Sequence, residues 1–160
     1  MRSQGEIEAA VCEGLTRFNQ EFIGRGPQDI HAHLVGSLLL VRMTGALTAA
    51  ERQLLRPREN SHQHEGDVGN GAENLPIQGG GNGKAEDHSS EGANGRSLLK
   101  QVRSHVVATG RPRLEEIVAQ AAGVRLVSVH HDISTVTGEE VLVFSLETAP
   151  MCRPRKRSPC

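Results

Sequence analysis

Apolar residues recur at Ile7, Val11, Leu15, Phe18 and Phe22, at spacings of four and three, which trace one face of a helix. Ser3 and Glu6 stand ahead of them as an S-x-x-E capping box, and Gly24 sits where such a helix would end. The period then changes. Ile30, Ala32 and Leu34 alternate with His31, His33 and Val35, the two-residue period of a strand. Gly36-Ser37 suits a two-residue type II′ turn into LLLVRMTG, giving a hairpin. Thr48 and Glu51 form a second capping box, opening a short helix to about Arg56, before Pro57.

Later in the chain Leu98, Leu99, Val102 and Val106 mark a third helix, interrupted or kinked at Gly110 and Pro112. Leu114, Ile117, Val118 and Ala121 carry its apolar stripe on to Gly123. Two further strands, VRLVSVHHDI and EEVLVFSL, are joined by STVTG. The order is α-β-β-α-α-β-β. Two hairpins with helices predict an α+β fold, a mainly antiparallel four-stranded sheet packed with helices.

Two segments break these periods. Residues 59–95 hold nine of the eighteen glycines, and seven acidic residues against one lysine. With no periodic apolar face to offset the ordering entropy, about 1–2 kcal/mol per residue, this stretch is expected to be a disordered acidic insert. Residues 150–160, PMCRPRKRSPC, carry Arg153, Arg155, Lys156 and Arg157 with three prolines and no acid, and are expected to be a disordered basic tail. Residues 1–58 and 96–149 then make one domain of 112 residues, enough for a modest core.

Composition narrows the function classes. Only 2% of residues are aromatic, with no Trp or Tyr, and the net charge is −1. A stacking platform or a strongly basic surface for nucleic acid is therefore not expected. LVGSLLLV is stopped by Arg42, far short of the roughly 20 residues of a membrane span. MRSQGEIEAA has no apolar core of a secretory signal, so a cytoplasmic protein is expected, at most peripheral on the inner face of the membrane. Three unpatterned cysteines, Cys12, Cys152 and Cys160, fit a reducing compartment.

The candidate chemistry is sparse. His130 and Asp132 share one face of their strand while His131 takes the other, so the three cannot converge on one metal. His31 and His33 share a face of the first strand and could join a site with His130. No zinc-ligand spacing is met, however, and no metal or cofactor is expected. Asp132, Ser134 and Thr135 read as caps of the turn before Gly138, and Glu115-Glu116 and Glu139-Glu140 as solvated faces. QGGGNGKA lacks the first glycine and the Ser or Thr of a phosphate loop, and His62 and His64 read as solvated polar groups. No nucleophile motif is present, Cys12 reads as core-adjacent and inert, and no catalytic residue is assigned. Arg25, between Gly24 and Gly26 and ahead of Pro27, stands at a helix C-terminus where a cation is favourable. Presented on so sharp a reversal, it could also grip an anion.

Three motifs carry a family resemblance: F-x-x-E-F-x-G-R-G-P from Phe18 to Pro27, G-x-L-T-x-A-E from Gly45 to Glu51, and H-x-D-x-S-T-x-T-G-E from His130 to Glu139. With them the chain resembles the MpsC-like domain, named for a sodium-translocating, membrane-potential-generating system. The glycine-rich insert and basic tail lie outside that pattern, and Ser37 stands where members often carry Asp. The resemblance implies a soluble component of ion movement or membrane energisation, without established catalysis.

The expected function is thus a non-enzymatic accessory domain of a bacterial membrane-potential-generating or ion- or bicarbonate-transport system, working through a membrane-protein partner. The basic tail would add weak contact with anionic lipid. The alternative is a small-ligand or anion sensor using Arg25, His33, His130 and Asp132.

Overall fold

The structure, a computed structural model, describes residues 1–56 and 90–153. The first helix, α1 (Gln4–Phe22), starts as its capping box dictates: the Ser3 hydroxyl accepts from Glu6 N and Ser3 N donates to Glu6 Oε2 at 2.6 Å. Ile7, Val11, Leu15 and Phe18 are buried along one stripe. Phe22, expected on that stripe, is 40% exposed and stacks on Phe18 with ring centroids 4.5 Å apart. Past the helix, Gly24 takes φ 83°, the left-handed conformation that lets the chain reverse.

Strands β1 (Asp29–Val35) and β2 (Leu38–Thr44) form the first hairpin, turning at Gly36 with φ 60°. Helix α2 (Ala49–Leu55) carries the second capping box intact. Two helices follow, α3 (Ser90–Thr109) and α4 (Arg111–Ala122), divided at Gly110, with Pro112 in the first turn of α4 where its missing N–H costs nothing. Strands β3 (Leu126–Ile133) and β4 (Glu140–Leu146) complete an antiparallel sheet of order β1-β2-β4-β3. The fold is α+β, and the expected order holds, with the third helical run split in two.

The core lies between the sheet and the pair α1 and α4. Leu39, Val41 and Met43 of β2 and Leu142 and Phe144 of β4 meet Val11, Leu15, Leu114 and Val118. Burying one such side chain contributes roughly 1.5–3 kcal/mol. The helices approach closely at Gly14, where an added Cβ would fall 2.5 Å from Ile117 Cγ2.

Pairing across the other sheet face sets three rows: Val35, Leu38, Ser145 and Ser128; His33, Leu40, Val143 and His130; His31, Arg42, Val141 and Asp132. Val35, Leu38 and Leu40 remain exposed there.

Four expectations change. Residues 90–95, assigned to the insert, are the opening turns of α3, and a Cβ on Gly95 would lie 2.1 Å from the Leu54 carbonyl oxygen. Thus α3 leans on α2 before the expected boundary; the rest of the insert, 59–89, lies outside the described residues. The tail begins in contact with the fold: Pro150 is buried and Arg153 N donates to Arg2 O at 2.9 Å. Within α3, Leu98 and Val102 are exposed and the inward stripe runs through Leu99 and Arg103. Finally, Glu140 is not on a solvated face. It is buried, because strand alternation places it with Leu142 and Phe144 on the core side.

Candidate functional site

The β3–β4 loop is closed on itself by backbone bonds, Ser134 N to Glu139 O at 2.7 Å and Gly138 N to Ser134 O at 2.8 Å. The Ser134 hydroxyl accepts from Thr137 N at 3.2 Å, and Thr137 Oγ1 accepts from Glu139 N at 3.2 Å. Gly138 holds φ 72°, and a Cβ there would strike Leu47 Cδ1 at 2.7 Å. This brings the loop against the segment between β2 and α2. Gly45, with φ 66°, is covered by the Gln28 side chain, whose Oε1 would lie 2.5 Å from an added Cβ.

These contacts enclose a cavity of about 150 Å³ lined by Arg25, Gln28, Gly45, Leu47, Arg52, Thr137 and Gly138. Residues from the α1–β1 turn, the β2–α2 segment and the β3–β4 loop meet here, so all three sequence motifs contribute a wall. Arg25 donates one N–H to Leu47 O at 3.5 Å. No carboxylate among the described side chains, those of residues 1–56 and 93–153, pairs with Arg25 or Arg52. The glutamates of the second and third motifs face elsewhere: Glu139 Oε2 accepts from Arg42 Nη2 at 2.6 Å, and Glu51 from Arg103. The cavity wall therefore offers donors and positive charge, which suits an anion.

A buried polar chain anchors the segments that carry Gly45, Leu47 and Arg52. Arg103, 1% exposed, donates Nε and Nη2 to the two Glu51 oxygens at 2.7 and 2.8 Å, Nη2 to Ala46 O at 3.0 Å, and Nη1 to Glu140 Oε2 at 3.1 Å. Burial pushes the Glu51 carboxyl up, but the Arg103 and Thr48 hydrogen bonds outweigh it and hold it below the usual range. Glu140 Oε1 in turn lies 2.6 Å from His131 Nε2. The His131 ring forms part of a separate cleft of about 330 Å³ with Val107, Ala108, Arg111 and Val129. No sequence motif announces this chain. Its one visible trace is Arg103, a charged residue in register with Leu99 and Val106 on an otherwise apolar stripe.

The remaining site candidates are dispersed. Gly26 and Pro27 shape the turn that carries Arg25, Gly26 approaching Thr16 and Gln20 of α1. Asp132 is held by Lys100 Nζ at 2.8 Å, a hydrogen bond that pulls its carboxyl below the usual range. Thr135 sits half-buried in the β3–β4 loop. His33 and His130 share a row of the sheet but occupy its two edge strands, three strand spacings or about 14 Å apart. They cannot bind one ion, and no group of three metal-ligating side chains occurs among the described residues. His31 instead faces Asp29, Nε2 to Oδ2 at 3.1 Å.

The family described as "Na+-translocating membrane potential-generating system (MpsC)" matches residues 3–65 and 80–148. The unmatched stretch between them, 66–79, falls inside the glycine-rich segment. The chain is also similar to the uncharacterized protein YbcI of Bacillus subtilis (strain 168), 25% identical over 145 residues, covering 91% of this chain and 89% of that protein. No solved structure matches the chain.

Proposed function

The chain belongs to the MpsC family, and from that premise we propose that it is a non-enzymatic accessory component of a bacterial membrane-potential-generating or ion- or bicarbonate-transport system, acting through a membrane-protein partner. The family match is the observation that carries this reading. No helix among the described residues is long and apolar enough to cross a membrane. Ion movement is therefore assigned to the partner. The non-enzymatic part is supported by the way the motif side chains are used: Asp132 on Lys100, Glu139 on Arg42, Ser134 on loop N–H groups. Each holds structure.

On this reading the protein works in the cytoplasm, peripheral to the inner membrane face. Of the four basic tail residues, Arg153 already lies 3.5 Å from Glu6. The other three would contribute about 1 kcal/mol each near an anionic leaflet, so the contact is weak and salt-sensitive, and the partner supplies the rest. Fractionation of cells at low and high salt, with membrane crosslinking, tests this with the full chain and a version ending at Arg153. Both are expected to crosslink to a membrane protein, and the shorter one to sediment less at low salt. If neither crosslinks nor sediments, the accessory role fails.

A second reading, a small-ligand or anion sensor, is favoured by the two arginines that line one cavity. Of the residues considered for it, His33, His130 and Asp132 are spread over the open sheet face, which leaves Arg25 as its centre.

A further inference from the structure

The geometry points to a binding site for a small tetrahedral oxyanion, phosphate or sulfate in shape, between Arg25 and Arg52. The inference rests on the second reading and supplies its ligand. Three separate segments bring donors to the cavity: Arg25 and Gln28 from the α1–β1 turn, Arg52 from α2, and Thr137 from the β3–β4 loop. Thr137 Oγ1 already accepts from Glu139 N, so its own hydroxyl proton remains to be donated. Arg25 uses only one N–H on Leu47 O, and the rest of its guanidinium fork is available. A planar carboxylate can be satisfied by the edge of one guanidinium, through two parallel N–H···O bonds. Donors arriving from three segments are matched by an anion with oxygens on more than one side.

Local charges favour the same occupant. Three carboxylates adjoin lining residues in sequence: Glu51 and Glu139 are held by Arg103 and Arg42, and Asp29 faces His31. Gly45 and Gly138 keep the walls open, since a Cβ on either would collide with Gln28 or Leu47. At about 150 Å³ the cavity admits an inorganic anion or one headgroup phosphate, but no nucleotide-sized ligand.

The test is a titration of the full chain with sodium phosphate, sodium sulfate and, as the planar control, sodium acetate at fixed chloride, following the amide resonances of Gly45, Thr137 and Gly138. A second arm measures sedimentation with vesicles of phosphatidylglycerol against phosphatidylcholine. Saturable shifts with phosphate and sulfate, at least tenfold weaker in Arg25→Gln and in the exposed-site variant Arg52→Gln, and with acetate, establish a site for the free anion. Arginine-dependent binding seen only with phosphatidylglycerol assigns the same site to a lipid headgroup. Absent or arginine-independent binding, or acetate binding as tightly as phosphate, overturns the inference. Both variants are checked by circular dichroism and melting. Phosphate binding that shifts no amide resonance beyond the cavity lining would leave the site standing and sink the sensor reading alone.

Discussion

Arg103 Nη1 lies 3.1 Å from Glu140 Oε2, with the two side chains 1% and 3% exposed. The pair joins α3 to the sheet, and through Glu51 the same guanidinium reaches the capping box of α2. One buried cation thus holds three elements together. Its removal leaves two carboxylates without a counter-charge, the costly half of a broken buried pair.

Arg103→Met is therefore expected to destabilise the fold by about 3–5 kcal/mol, read from urea denaturation at neutral pH. Adding Glu140→Gln to that variant should recover part of the loss, because one uncompensated charge is gone. A loss below about 1 kcal/mol for Arg103→Met would show that water reaches the cluster.

Acid should expose the same linkage. The folded-state carboxyl of Glu51 is held below its unfolded value, about 4.3. Its contribution is present above that value and is lost as pH falls through the lower folded-state one. Glu51→Gln should flatten the stability-versus-pH curve in that acid window and lower stability at neutral pH. An unchanged curve would remove Glu51 from the account.

Two glycines with left-handed backbone separate strain from crowding. Gly36→Ala meets open space at φ 60° and is expected to cost about 1–2 kcal/mol. Gly138→Ala bears the same strain at φ 72° and also drives its Cβ to 2.7 Å from Leu47. Overpacking adds about 1–3 kcal/mol, so its melting temperature should fall further than that of Gly36→Ala. Equal shifts would mean that Leu47 yields freely.

Chelation should leave the melting curve and far-ultraviolet circular dichroism of the untagged protein unchanged. The double variant His33→Ala and His130→Ala should behave likewise, since their strands stand about 14 Å apart. Stoichiometric zinc lost on that double substitution would contradict the sheet geometry.

Excision of residues 66–79, the stretch between the two family-matched segments, should move the melting temperature by no more than about 2 °C, because loop closure changes by only ~0.6 kcal/mol per doubling of length. Removing 59–95 instead takes the opening turns of α3 and its Gly95 contact with α2. That deletion is expected to lower the melting temperature clearly.

Much of the fold was legible because it is encoded locally. A capping box needs only residues three apart, and Ser3–Glu6 and Thr48–Glu51 both formed as read. Alternation in Ile30–Val35 and in the segment after Gly123 settles which side chains face the core, and the helix break at Gly110 follows from two neighbouring residues. The sequence reading placed Arg25 on its reversal and His130 and Asp132 on one face, opposite His131, for the same reason.

What only the tertiary structure decided is which distant residues share a space. Glu140 looked like a solvated surface carboxylate beside Glu139, yet a strand turns consecutive side chains to opposite faces, and Arg103, thirty-seven positions earlier, supplies its charge from α3. His33 and His130 share a face of the sheet, but the strand order sets two strands between them. Arg25, Arg52 and Thr137 carry no sign in sequence of lining one cavity. Local hydrogen bonding and side-chain period are properties of a few consecutive residues, and a sequence states them directly. Strand order and long-range charge pairing depend on how the elements pack, which is settled by the summed burial of the whole core.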